Sequence, residues 1–186
     1  KKVAVVGPNG GGKSTLFNAI VGLLPLANGS IKIDGKNPQE AKSLISYVPQ
    51  KDFMNRSFPI TVNQVVGMGL VDKNTFFNSN NRESKNKIST SLESVGLLDQ
   101  IDTNINNLSG GQFQRVLIAR ALTQNAQIIL LDEAFSAVDV GAQEDIMNII
   151  NKNDLDNKTV LIATHDINTV SYTHLRCRRV TTCCWG

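Results

Sequence analysis

The sequence predicts an α/β domain, a parallel sheet flanked by helices with an inserted all-helical segment, and three observations carry that expectation. Short apolar, β-branched runs alternate with helical patterns. Those runs are continuous rather than alternating in polarity, as in strands covered on both faces. Between about residues 57 and 125 the strand pattern stops and helical periodicity replaces it.

The first strand is "VAVV" at 3–6, followed by a glycine-rich loop and a helix expected over Lys13–Leu24, where Leu16, Ala19, Ile20 and Leu23 share a face. "IKI" at 31–33 and "LISYV" at 44–48 read as further strands. Thr61–Met68 then opens the helical segment, with Thr61 and Gln64 at the spacing of a capping box. The run "FFNSNNRESKNK" at 76–87 is polar and asparagine-rich and reads as an exposed loop. A helix over Lys87–Val95 carries Ile88, Leu92 and Val95 on one face and closes at Gly96. Another helix, over Gln112–Thr123, completes the segment. "IILL" at 128–131, a helix over Val140–Lys152 and "VLIAT" at 160–164 return the chain to the α/β pattern.

Composition narrows the function classes. With 186 residues and 41% hydrophobic content, the chain can build one sizeable core. The net charge of +3 equals the contribution of Arg176, Arg178 and Arg179, so the rest is balanced and offers no electrostatic footprint for nucleic acid. No apolar run approaches the ~20 residues that cross a bilayer, and the expected chain is soluble. Cys177, Cys183 and Cys184 are the only cysteines and lie in the tail, leaving a cysteine-free body that suits a reducing compartment. Together with His174 they lack zinc-ligand spacing, because adjacent cysteines strain a tetrahedral site. The composition breaks after Val170, and 171–186 reads as a non-native, read-through tail outside the domain 1–170.

The chemistry begins at "GPNGGGKST". Gly7, Pro8, Asn9, Gly10, Gly11, Gly12, Lys13 and Ser14 fit G-x-x-x-x-G-K-[ST] between a strand and a helix, the context a phosphate-binding loop requires. The glycines allow backbone N–H groups to turn toward an anion. Lys13 in a first helical turn opposes the helix dipole, a conflict that a bound phosphate removes. The expected roles are Lys13 on the β/γ-phosphates of ATP, Ser14 on Mg²⁺ and Thr15 on a phosphate oxygen. Asp132 and Glu133 end the strand "IILLD" and, being adjacent, point to opposite sides. Asp132 is expected to hold Mg²⁺ through its water shell and Glu133 to orient or deprotonate water. Gln50 and His165 likewise follow strands, at the carboxyl edge where parallel sheets bind ligands. Asp139 is well placed to N-cap the following helix. A second glycine-rich helix opening, "LSGGQFQR", places Ser109, Gly110, Gly111 and Gln112 at another anion-receptive N-terminus, where Ser109 and Gln112 also have capping-box spacing.

Taken together, the order "GPNGGGKST", "YVPQ", "LSGGQFQR", "IILLDE", "SAVD" and "ATHD" over about Val3 to Val170 resembles the ATP-binding subunit of ABC transporters, a P-loop NTPase fold. The resemblance implies ATP hydrolysis with Mg²⁺. It implies a head-to-tail dimer in which Ser109, Gly110, Gly111 and Gln112 cover the partner's ATP while Asp139 reaches across. It also implies Glu133 as general base, His165 on the γ-phosphate and Gln50 on Mg²⁺ and water. Further implied are transmembrane permease subunits, an extracytoplasmic solute-binding protein and a peripheral place on the cytoplasmic membrane face. Relative to that family the sequence is expected to be truncated at both ends, lacking upstream strands and the aromatic residue that stacks on adenine. Ala134 stands where the family usually has proline.

"SFPITV" before a short helix and "DINTV" after His165 resemble importers of manganese, zinc or chelated iron, with Arg56, Phe58 and Pro59 as candidates for docking to the permease. The rivals are an ABC ATPase acting on DNA or ribosomes, disfavoured by the absence of coiled-coil length between Gln50 and Leu108, and an inactive fragment.

Overall fold

The structure is a computed structural model and describes residues 1–50, 59–70, 82–134, 140–151 and 157–165. Two compact units emerge, one built on Lys1–Gln50 and Ala126–Ser136 with the last strand, the other on Lys51–Asn125 with the helix Val140–Asn151. The tail 171–186 and Asp139, Arg56 and Phe58 lie outside the described residues.

The first unit is a parallel sheet of β1 (Lys2–Val6), β2 (Ile45–Val48), β3 (Ile128–Asp132) and β4 (Thr159–Thr164) in the order β1-β4-β3-β2. The register pairs Val6 with Thr164, Asp132 with Ala163 and Tyr47 with Leu130. All four carboxyl ends therefore reach one edge. Because side chains alternate along a strand, Ile45, Tyr47, Leu130 and Ala163 share a face. There they pack with Phe17, the fully buried aromatic of α1 (Lys13–Ile20). Fully burying a side chain of that size contributes about 1.5–3 kcal/mol, so this contact fixes α1, and with it Lys13, under the sheet edge. The alternate positions Val48, Ile129, Leu131, Val160 and Ile162 are buried as well, which accounts for the continuous apolar runs.

Two expectations in this unit need correction. "IKI" at 31–33 forms no strand, because Asp34 and Gly35 take positive φ of 51° and 75°. They close a two-residue turn in which Ile33 and Lys36 exchange backbone hydrogen bonds of 2.9 and 3.0 Å. Nor does α1 reach Leu24. It ends at Ile20 because Gly22, at φ 76°, enters the left-handed region. The N–H of Gly22 then donates to the Ala19 carbonyl and that of Leu23 to the Asn18 carbonyl, the paired bonds of a Schellman motif.

The second unit holds α2 (Val62–Gly67), α3 (Arg82–Ser94), α4 (Gly110–Thr123) and α5 (Val140–Asn151). The capping box at Thr61 and Gln64 is present in both directions. Here α3 begins at Arg82, so residues 82–87 are helical rather than loop. The run lacks glycine and proline, and Glu83 stands one turn before Lys87, the favourable order for a helical ion pair, at 2.7 Å. α4 carries the interior of this unit through Phe113, Val116, Leu117 and Ala121, all buried.

Candidate active site

Between β1 and α1 the chain makes its first functional structure. Gly10 and Gly12 hold φ of 78° and 79°, and Gly12 is the N-cap of α1. A side chain at either position would strain the backbone. α1 has no side-chain cap and no acid in its first turn, so none of its own first-turn residues supplies the negative charge its N-terminal N–H groups favour. Lys13 folds back under the loop, where its Nζ donates to the carbonyl oxygens of Gly7 at 3.0 Å and Pro8 at 2.9 Å. The loop, from Asn9 through Thr15, lines a cleft of ≈ 340 Å³ together with Gln50 and Glu133.

Glu133 is the hub of this cleft. Its Oε1 lies 3.3 Å from Lys13 Nζ and 3.9 Å from His165 Nδ1, and its Oε2 accepts a 3.1 Å hydrogen bond from Gln50 Nε2. Its N–H donates to the Ala163 carbonyl at 3.0 Å, which ties the residue to β4. The backbone at Glu133 is left-handed, φ 46°, a conformation that costs a non-glycine residue on the order of 1–3 kcal/mol. Ala134, which follows it, is buried.

Asp132, one residue earlier, is fully buried. Its Oδ2 accepts a 3.0 Å hydrogen bond from the Tyr47 hydroxyl, while Oδ1 has no hydrogen-bond partner among the described residues. Burial, followed by the charge of Asp132 and the hydrogen bond to it, pushes the Tyr47 phenol well above its usual range. The phenol therefore stays protonated and able to donate at neutral pH.

A magnesium ion fits these donors. Mg²⁺ usually keeps several waters and takes one or two carboxylates together with substrate phosphates. Ser14 and Gln50 line the cleft, and Asp132, buried with one carboxylate oxygen lacking a hydrogen-bond partner among the described residues, ends β3 at the same sheet edge; these are donor types of that kind. Among the described residues no group of three His, Cys, Asp or Glu side chains forms an all-protein cage.

Gly7, Lys13, Gln50, Asp132, Glu133 and His165 thus converge on one sheet edge. Ser109, Gly110, Gly111 and Gln112 belong to the second unit, at the N-terminus of α4. Ser109 Oγ accepts from the Gln112 N–H at 3.2 Å, and Gln112 Oε1 accepts from the Ser109 N–H at 2.9 Å, a complete capping box. Tyr47 joins the sheet-edge residues although the sequence marks it only as a lone phenol in the apolar run "LISYV", where a buried tyrosine hydroxyl generally finds a partner.

The protein-family model described as ABC transporter matches residues 1–136. The chain belongs to the ABC transporter family. Among curated relatives it is 39% identical over 168 residues to the zinc transport system ATP-binding protein TroB of Treponema pallidum, covering 90% of this chain and 63% of the relative. It is also 39% identical to the manganese transport system ATP-binding protein MntA of Synechocystis, covering 90% of this chain and 65% of that protein. The chain thus spans somewhat less than two thirds of these relatives. Among solved structures, an inward-facing ABC transporter assigned to the metal-chelate type matches with a TM-score of 0.76 at 30% identity, over 91% of this chain and 65% of the other.

Proposed function

We propose that this ABC family chain binds ATP with Mg²⁺ in the cleft under β1 and hydrolyses it to drive import of a divalent metal ion, manganese, zinc or iron. The observation that carries the proposal is the position of Glu133, a carboxylate held by Lys13 and Gln50 in the same cleft as a glycine-rich phosphate loop.

In this reading the N–H groups from Asn9 to Thr15 surround the phosphates, and Lys13 exchanges its two loop carbonyls for β- and γ-phosphate oxygens. Ser14, Gln50 and, through water, Asp132 would hold Mg²⁺, which would supply charge neutralisation for the phosphates. With Lys13 turned to phosphate, Glu133, still held by Gln50, accepts a proton from water as the water oxygen bonds to the γ-phosphorus. The bond to the β–γ bridging oxygen breaks, giving ADP and inorganic phosphate. His165, with its side chain 46% exposed beside Glu133, contacts the γ-phosphate.

The α4 N-terminus, Ser109 to Gln112, serves the ATP of a second ATP-binding subunit, and Asp139 reaches across the same dimer. Permease subunits and an extracytoplasmic solute-binding protein complete the system, and the chain sits peripherally on the cytoplasmic membrane face. Among the described residues no helix is long and apolar enough to cross a membrane. The metal reading is supported by the zinc and manganese systems named for the relatives. Its test is uptake by the reconstituted complex: ATP-dependent uptake of Mn²⁺, Zn²⁺ or iron supports it, and uptake of a sugar or amino acid in place of metal overturns it.

A further inference from the structure

We propose that Tyr47 is a positioning residue for Asp132, holding one carboxylate oxygen so that the other is presented to a hydrated divalent cation. The inference rests on the Mg–ATP reading above and extends it to a side chain that does not line the cleft. Parallel pairing sets Tyr47 of β2 opposite Leu130 of β3, and Asp132, two residues further along β3, projects from the same face. The phenol spans that diagonal and donates to Oδ2 at 3.0 Å. Its ring packs with the apolar cluster of Phe17, Ile45 and Leu130, so the donor is fixed by the core rather than by solvent.

Asp132 needs such a restraint. The terminal torsion of an aspartate is broad and roughly two-fold, so a carboxylate held by nothing could offer either oxygen in many orientations. The hydrogen bond removes that freedom. It spends Oδ2 and leaves Oδ1, buried and without a partner among the described residues, as the oxygen with lone pairs to give. Outer-shell partners of ligating carboxylates act in this way at about 10–100-fold in metal affinity or activity, and Asp132, which reaches the cation through water, falls at the lower end of that range. A phenol that merely satisfied a buried carboxylate would change stability alone.

The test uses the intact protein carrying Glu133→Gln, so that turnover does not consume ATP. Mn²⁺ is titrated in the presence of ATP and followed by electron paramagnetic resonance, with thermal unfolding recorded in parallel. Tyr47→Phe is expected to raise the Mn²⁺ midpoint by about tenfold or more, leaving metal-free nucleotide affinity unchanged. In an Asp132→Asn background the same substitution should shift the midpoint by less than about twofold, since its effect passes through Asp132. A parental midpoint in Tyr47→Phe, whatever its unfolding temperature, overturns the inference, as does an equal shift in the Asp132→Asn background. Tyr47→Met, which also lacks the hydroxyl, is read identically if the Phe variant does not fold. If the parental protein shows no metal-dependent ATP binding, this inference and the Mg–ATP reading fall together. If it does and Tyr47→Phe changes nothing, the inference falls alone.

Discussion

Lys13 occupies the position in α1 where the helix dipole disfavours a cation, and only 5% of its side chain is exposed. Two loop carbonyls and the Glu133 carboxylate offset the cost of burying the ammonium group. These contacts also keep it poised beside the loop that would hold phosphate. Replacing a charged hydrogen-bond donor typically removes about 1.5–3 kcal/mol. Lys13→Ala should therefore weaken ATP binding roughly 10- to 100-fold while the protein stays folded, as a titration with a fluorescent ATP analogue would report. Unchanged affinity would mean that the cleft does not receive the phosphates. Of these residue contacts, the lysine and its loop were legible in the sequence because the motif is contiguous and its strand and helix flank it. The links from Glu133 to Gln50 and from Asp132 to Tyr47 were not, since each joins residues more than eighty positions apart through a sheet register that one sequence does not contain.

At the scale of elements, strands were legible where burial on both faces made the apolar run continuous, as in β2, β3 and β4. "IKI" misled because its apolar residues serve a tight turn whose Asp34–Gly35 pair reverses the chain. α3 starts earlier than its polar composition suggests, because residues 82–87 hold no helix breaker and carry the Glu83–Lys87 pair. Packing between α2 and α4 imposes a requirement that periodicity does not reveal. Gly69, in the 3₁₀ turn Met68–Leu70 that follows α2, lies so close to α4 that an added Cβ would press on the Arg120 carbonyl oxygen. That contact is backbone and has no flexible end to move aside. Gly69→Ala should destabilise the protein by about 1–3 kcal/mol, the usual cost of overpacking, and lower the midpoint of denaturant unfolding. A wild-type midpoint would show that α2 and α4 approach less closely than described.

For the whole molecule, the proposed function joins two anion-receptive helix termini that belong to different units of the chain. α1 would hold the phosphates of its own ATP, and α4 those of the ATP in a second subunit. Gly110→Asp, placed in a Glu133→Gln background that prevents hydrolysis, sets a carboxylate at the α4 terminus, where it would face a γ-phosphate across the dimer. ATP-driven dimerisation should then be lost in sedimentation while binding of ATP to the α1 loop persists. A doubly substituted protein that still dimerises with ATP would give α4 another role. If Glu133 accepts the proton from the attacking water, phosphate release from Glu133→Gln, followed beside an ATP-binding titration of the same protein, is the readout that must fall. A lost acid–base group should lower turnover by about 10²–10⁴-fold, with ATP binding retained; turnover equal to that of the unsubstituted protein would contradict the assignment.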